Sequence, residues 1–107
     1  MHNLQYIIAI NFENKKYPQI LKIAPNDEIL QQLVNLLIKY SDNSSIIVNI
    51  EDGHFKFWLY EELNHNQVRY VWGKIGGTAS VKDIYESASE AESKRWSKKR
   101  KGYQALI

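Results

Sequence analysis

Trp72 and Lys74, on either side of Gly73, are the residues whose types and spacing best suit a binding chemistry. A tryptophan side chain is a flat surface for stacking, and a lysine supplies a cation for a phosphate. Residues 68–72 alternate with period two, so the pair is predicted at the end of a half-buried strand that leads into a glycine-rich turn. The pattern favours contact with a sugar-phosphate backbone. The alternative is that Trp72 belongs to the core, as tryptophans at strand ends usually do.

The cations of this chain are concentrated towards its C-terminal end. Before position 94 the sequence has 12 acidic and 8 basic residues, a balance of −4, whereas residues 94–107 carry 6 basic residues and no acidic one. A few cations at a helix end complement the helix dipole, but six exceed what this role requires. The segregation therefore predicts a polyanionic partner for the C-terminal segment.

The sequence predicts no catalytic or metal-binding arrangement. It contains no cysteine, and His2, His54 and His65 are too scattered to form a metal set by spacing. The adjacent carboxylates Glu61 and Glu62 point to opposite faces of a strand, so they do not form an acid–base couple. Residues 73–77 lack the spacing and the Lys-Ser/Thr end of a P-loop. We therefore expect no enzymatic activity and no metal or cofactor.

Length and composition indicate one soluble domain. The chain has 107 residues, of which 44% are hydrophobic and 24% charged, as in ordinary globular proteins. Its first residues show no signal-peptide pattern, and no apolar run approaches the ~18 residues that a membrane span needs. We expect a cytoplasmic protein with no membrane partner.

The first half of the chain predicts two strands, a helix and a third strand. Residues 6–10 are a continuous apolar run, and residues 17–23 are predicted to pair with them, with Pro18 at the strand start or on an edge. A helix is predicted over residues 27–40, where carboxylates in the first turn precede apolar residues at helical spacing. Residues 46–50 form the next strand.

The second half predicts three strands and a basic helix. Residues 55–60 are apolar on both faces, which indicates a central strand, and residues 64–67 connect it to the strand of Trp72. Residues 80–85 form a further short strand. A helix over residues 87–100 begins with the capping-box spacing of Ser87 and Glu90 and ends at Gly102.

The segment Trp72-Gly73-Lys74-Ile75-Gly76 resembles the Trp-Gly-Arg-(Val/Ile)-Gly signature of the WGR domain family, which occurs in poly(ADP-ribose) polymerases and bacterial WGR proteins. Residues 55–58 are similar to the first strand of that domain. Residues 98–103 are similar to its closing basic helix and Lys-Gly-Tyr. The resemblance covers residues 51–105. In those polymerases the signature Trp and Arg contact the sugar-phosphate backbone at a DNA break, which implies such a role for Trp72 and Lys74 and favours DNA over RNA.

The sequence thus predicts a single α+β domain, with an antiparallel sheet of about five strands and two helices. Residues 51–105 would form a WGR-like half, and residues 1–50 a strand-strand-helix-strand extension packed on it. The predicted function is sequence-nonspecific binding of nucleic acid. The predicted binding residues are Trp72, Lys74, Arg69, Arg95, Lys98, Lys99, Arg100 and Lys101.

The alternative function is a small protein-interaction module whose partner presents an acidic face. Trp72 would then anchor an interface, in the manner of a hot-spot residue. The low glycine and proline content, with abundant Asn, Ile and Lys, indicates an AT-rich genome of a bacterium or phage. A phage-type inhibitor of a host nucleic-acid enzyme is one protein of this second class.

Overall fold

A five-stranded antiparallel sheet is the framework of the computed structural model, which describes residues 18–107. Its strands are β1 (Ile47–Asn49), β2 (Lys56–Asn64), β3 (Gln67–Lys74), β4 (Ala79–Ile84) and β5 (Gln104–Ala105). They lie in the order β4-β3-β2-β1-β5, and every neighbouring pair is antiparallel. The predicted α+β class with about five strands is confirmed. The strand predicted over residues 6–10 lies outside the described residues.

Three helices accompany the sheet: α1 (Pro18–Ile23), α2 (Asp27–Lys39) and α3 (Ala88–Arg100). α2 begins at Asn26, whose side chain accepts a hydrogen bond from the Ile29 N–H at 2.9 Å. α3 begins at Ser87, which forms a reciprocal capping box with Glu90. The two predicted helices are therefore confirmed, within a residue at each end. Of the helices described here, none is long and apolar enough to cross a membrane.

α2 supplies the core on one face of the sheet. Phe57 and Leu59 of β2 and Val71 of β3 point to this face, and side chains alternate along a strand, so Trp58 and Tyr60 point to the other. β2 is thus apolar on both sides and central, as predicted. The buried side chains of α2 are Ile29, Leu30, Leu33, Val34, Leu36 and Leu37.

α3 rests on the opposite face along a narrow line. Ala91 is its one buried residue and packs in a small cluster with Trp58 and Tyr70. The helix stops at Gly102, whose φ is +110°. The N–H groups of Gly102 and Tyr103 donate to carbonyls of the last turn, at 3.2 Å each, which is the Schellman arrangement. Most of the α3 surface therefore lies outside the core.

Residues 18–23 form helix α1, so the strand predicted over residues 17–23 is wrong in this part. Pro18 opens the helix, a position where the backbone N–H that proline lacks is not needed. Ile20 is fully buried, and Leu21 and Ile23 pack partly against the same core. In so short an apolar run, periodicity does not distinguish a helix from a strand.

β5 completes the sheet and is absent from the sequence prediction. Its two residues pair with β1, with Ala105 opposite Ile47. The next residue, Leu106, is fully buried and donates its N–H to the Ile46 carbonyl at 3.1 Å. Two residues are too few to show a strand alternation, so only the pairing identifies this strand.

Candidate nucleic-acid interface

The turn that follows Trp72 is fixed by the core beneath it. Ile75 is 7% exposed and packs on the α2 side, and its N–H donates to the Phe55 carbonyl at 2.8 Å. A Cβ at Gly73 would lie 2.9 Å from the Thr78 carbonyl oxygen, so the return strand approaches too closely for a side chain there. The Trp-Gly-Lys-Ile-Gly segment is therefore a rigid support for Trp72 and Lys74.

Gly76→Ala should lower the free energy of unfolding by about 1–2 kcal/mol, because a residue with a Cβ is strained in the left-handed region. Gly76 has a φ of +82°, and a Cβ would also meet the Gln32 amide nitrogen at 2.6 Å. Gly77→Ala is the matched control, since its Cβ would come no closer than 3.4 Å to a neighbour. Urea denaturation measures both variants, and equal midpoints would contradict the assigned strain.

A concave cleft of about 540 Å³ lies between α3 and strands β2, β3 and β4. Its floor is aromatic, since the rings of Trp58 and Tyr70 are 5.4 Å apart and both residues are largely buried. The lining residues are Lys56, Phe57, Trp58, Tyr70, Trp72, Gly73, Lys82, Ile84, Lys94, Ser97, Lys98, Lys101 and Tyr103. Five of them are lysines and none is an aspartate or glutamate, so the cleft has one sign of charge.

Lys98 lies deepest among these cations. Its Nζ is 5.8 Å from the centre of the Trp58 ring and 5.4 Å from that of Tyr103, within the range of cation–π attraction. Burial, followed by the neighbouring charges of Lys101 and Lys56, holds the pKa of Lys98 below its usual value. An anion in the cleft would oppose both effects and favour the protonated form.

Lys94 is the one lysine of the cleft that is ion-paired within residues 18–107. Its Nζ lies 3.0 Å from Glu86 and 4.9 Å from the centre of the Tyr70 ring. The Tyr70 hydroxyl donates to the other oxygen of Glu86, and this hydrogen bond is the main reason that the pKa of Glu86 lies below its usual value. Burial, then this carboxylate, raise the pKa of Tyr70. The contacts among Lys94, Glu86 and Tyr70 therefore hold α3 against β3.

A second tyrosine–carboxylate pair holds the other side of α3. The Tyr60 hydroxyl donates to Glu92 at 2.9 Å. Burial, then this hydrogen bond, raise the pKa of Tyr60 to about 12. Both tyrosines therefore stay protonated at neutral pH and act as donors that position the helix.

Trp72 forms one wall of the cleft and stays partly open to solvent. It lies directly opposite Trp58 across the β2–β3 ladder, on the α3 face of the sheet. Its side chain is 38% exposed and belongs to neither buried cluster, whereas Trp58 is 6% exposed. Trp72 is thus placed where a ligand in the cleft can reach its ring.

Lys74 stands beside the cleft mouth. It is the last residue of β3, is exposed, and pairs with Lys56 of β2. Like charges directly opposite each other on a sheet are destabilising. No ion pair of either lysine is found within residues 18–107, so this end of the cleft carries two uncompensated cations.

Two of the predicted site residues lie elsewhere and make structural contacts. Arg69 is on the α2 face and forms a two-pronged pair with Asp83, at 2.8 and 3.1 Å. Arg95 is largely buried, and its guanidinium donates to the Ser45 carbonyl at 3.2 Å and to Glu92 at 3.1 Å. The structure does not bring either arginine to the cleft.

Lys99 and Arg100 face away from the cleft on the last turn of α3. The Lys99 Nζ lies 4.1 Å from the centre of the Trp96 ring, and Trp96 is 50% exposed. Arg100 is exposed. Of the eight predicted residues, Trp72, Lys98 and Lys101 therefore line the cleft, and Lys74 adjoins it.

Three lysines of the cleft are not among the residues predicted from the sequence: Lys56, Lys82 and Lys94. Lys56 is two residues from Trp58, and Lys82 pairs with Tyr70 across β3 and β4, so both share the face of the cleft. The alternation of side chains along each strand shows that Lys56 shares a face with Trp58. The register between the strands is needed to show that the lysine side chains converge on one cleft. Lys94 belongs to the basic segment, and only the helix position shows which of its cations turn inward.

Among residues 18–107 there is no group of three His, Cys, Asp or Glu residues that could hold a metal ion. Comparison of the chain with protein-family models, curated proteins and solved structures gives no match. The resemblance to the WGR family therefore stays a prediction from the residues quoted above.

Proposed function

We propose that this protein is a non-enzymatic module that binds nucleic acid, DNA in preference to RNA, without reading its sequence. The observation that carries the proposal is the cleft itself, where five lysines and no carboxylate line one concavity with the partly exposed ring of Trp72. Phosphates are the polyanionic groups that such cations attract, and every base has a face that can stack on an aromatic ring.

The chemistry of the lining supports binding without sequence preference. Lysine is a point charge, which neutralises a phosphate but does not make the planar two-pronged contact by which arginine reads guanine. The lining holds no asparagine, glutamine or arginine, the side chains best suited to base edges. It also holds no histidine or carboxylate that could serve as a general base, so we propose binding in place of catalysis.

A protein partner with an acidic face is the second candidate. Tyr85, just after β4, is 84% exposed, and Val81 in that edge strand is 58% exposed. Exposed aromatic side chains are typical anchors of protein interfaces. On this proposal the lysines of the cleft would meet carboxylates. The partner would also reach around the β4 edge to Val81, which pairs with Val71 on the α2 face.

Charge reversal in the cleft tests the first proposal. Lys98→Glu with Lys101→Glu should weaken binding to every DNA sequence alike. It should also reduce the log–log salt dependence by about 1.4 to 1.8, for two phosphates at ~0.7 each on a single strand or ~0.9 each on duplex DNA. Fluorescence anisotropy at several salt concentrations gives the slope, and thermal melting checks the fold.

The matched control is Lys22→Glu with Lys39→Glu, which makes the same charge change on exposed residues of α1 and α2. It should retain most of the affinity and the slope. An equal loss in both double variants would mean that only net charge matters. Unchanged affinity and salt slope in the cleft variant, or no binding by the natural protein, would leave the protein-partner proposal.

A further inference from the structure

The cleft places an accessible aromatic ring among cations. Trp72 is 38% exposed in its wall, and the Lys98 Nζ lies near the rings of both Trp58 and Tyr103. In a duplex the bases are stacked inside and the phosphates face outward, so a duplex offers phosphates to the lysines but no free base face to a tryptophan. A base that has left the stack can reach Trp72 while the phosphates of its strand meet the lysines.

The lysines follow a line beside the aromatic floor. Lys94 lies over the Tyr70 ring and Lys98 over the Trp58 ring, so α3 runs along β3 in the same direction. From Tyr70 to Lys74 the strand advances four residues, or ~13 Å. At the ~3.4 Å rise per phosphate of a stacked strand this length covers about four nucleotides, and fewer when the strand is extended.

The volume of the cleft agrees with this length. Pockets for compact organic ligands measure about 300–1,000 Å³, and this cleft has about 540 Å³. It therefore has space for a base with its sugar, while the remaining nucleotides follow the lysines outside. A double helix is too wide to enter the cleft, because its major groove alone is wide enough to admit an α-helix.

We infer that the cleft binds a single strand, of DNA in preference to RNA, with one unpaired base against Trp72 and two to four phosphates along the lysines. The inference rests on the nucleic-acid function proposed above and states which form of nucleic acid the site takes. A free nucleotide has the same chemistry as one unit of a strand, so the test separates the two.

The test compares single-stranded and duplex ligands on the full-length protein. Anisotropy is measured with an end-labelled eight-nucleotide oligothymidine, the matching oligouridine and a blunt-ended hairpin duplex, at 50 and 200 mM salt. Unlabelled thymidine oligomers of two, four and six units, thymidine monophosphate and an eight-residue polyglutamate serve as competitors. We expect the single strands to bind at least tenfold more tightly than the duplex. Affinity should level off near four nucleotides, with a log–log salt slope of about −1.4 to −2.8.

A cleft-filling variant links the preference to the site. Ser97 lines the cleft, whereas Ser93, one turn earlier on α3, is exposed and does not. Ser97→Phe should weaken binding of the octamer at least tenfold without removing a charge, and Ser93→Phe should change it less than twofold. Melting curves show whether each variant is folded. Should Ser97→Phe unfold, the ligand comparison on the natural protein still decides.

Each outcome has a distinct meaning. Duplex binding as tight as single-strand binding overturns this inference but leaves the nucleic-acid function. Equal affinity for thymidine monophosphate and the octamer overturns it in favour of a nucleotide site. Polyglutamate competing as well as the octamer, or no binding to any nucleic acid, overturns the proposed function itself.

Discussion

Trp72→Ala should lower nucleic-acid affinity by about 1–3 kcal/mol, the usual value of one base stacked on an aromatic side chain, while the melting temperature falls less than it does for a core tryptophan. Trp58→Ala, directly across the ladder, should instead lower the free energy of unfolding by about 3–5 kcal/mol, because it empties a buried site. The two side chains are 38% and 6% exposed, so the same substitution separates a ligand-facing tryptophan from a core one.

Trp96→Ala supplies the control. Trp96 is 50% exposed and lies on the outer side of α3 against Lys99. Its removal should alter neither affinity nor stability beyond about 0.5 kcal/mol. Thermal melting and anisotropy are measured on all three variants. A large stability loss at Trp72 would make it structural, and an affinity loss confined to Trp96 would move the interface to the outer face of the helix.

A chain that begins at Glu51 should fail to fold cooperatively. It would lack α2, whose side chains cover Phe57, Leu59, Val71 and Ile75, and it would lack β1, on which β5 pairs. The exposed apolar face should make the fragment molten or insoluble. Circular dichroism and calorimetry decide, and a cooperative transition near the full-length melting temperature would contradict this prediction.

Two neighbouring residues of α2 give the same test without truncation. Leu37 is fully buried and Ile38 is 66% exposed. Leu37→Ala should lower the free energy of unfolding by about 2–5 kcal/mol, whereas Ile38→Ala should change it by less than about 0.5 kcal/mol. Similar losses at both positions would mean that α2 packs in another orientation.

The parts of the fold that sequence predicts are those with local signals. α2 has a periodic apolar stripe, and α3 has its capping box and Gly102, so both helices are found within a residue of their ends. β2 begins with a run that is apolar on both faces, β3 alternates over residues 68–72, and a short turn joins the two strands. α1 and β5 carry too few residues for a period, and their structure depends on partners far along the chain.

The candidate site is also predicted only in part. Charge segregation identifies the basic helix. Side chains project from a helix in all directions, so the number of cations does not show which of them point towards the sheet. Arg95 points inward to a carbonyl, Arg100 outward, and Lys98 into the cleft. Arg69 has the right type beside the right motif, yet the alternation places it on the other face of the sheet from Trp72.

The facing pair Lys56 and Lys74 has a consequence for protein engineering. A search for more thermostable variants would favour substitutions that relieve crowded like charges, and this end of the cleft is an evident place to find them. Lys98 is another position where substitution should raise stability, because burial and the neighbouring cations disfavour its charge. If the proposed function is right, these gains in stability would come from the residues that bind the ligand. Libraries selected on melting temperature alone would then lose activity first at the cleft, and a screen that keeps both properties should hold these three lysines fixed.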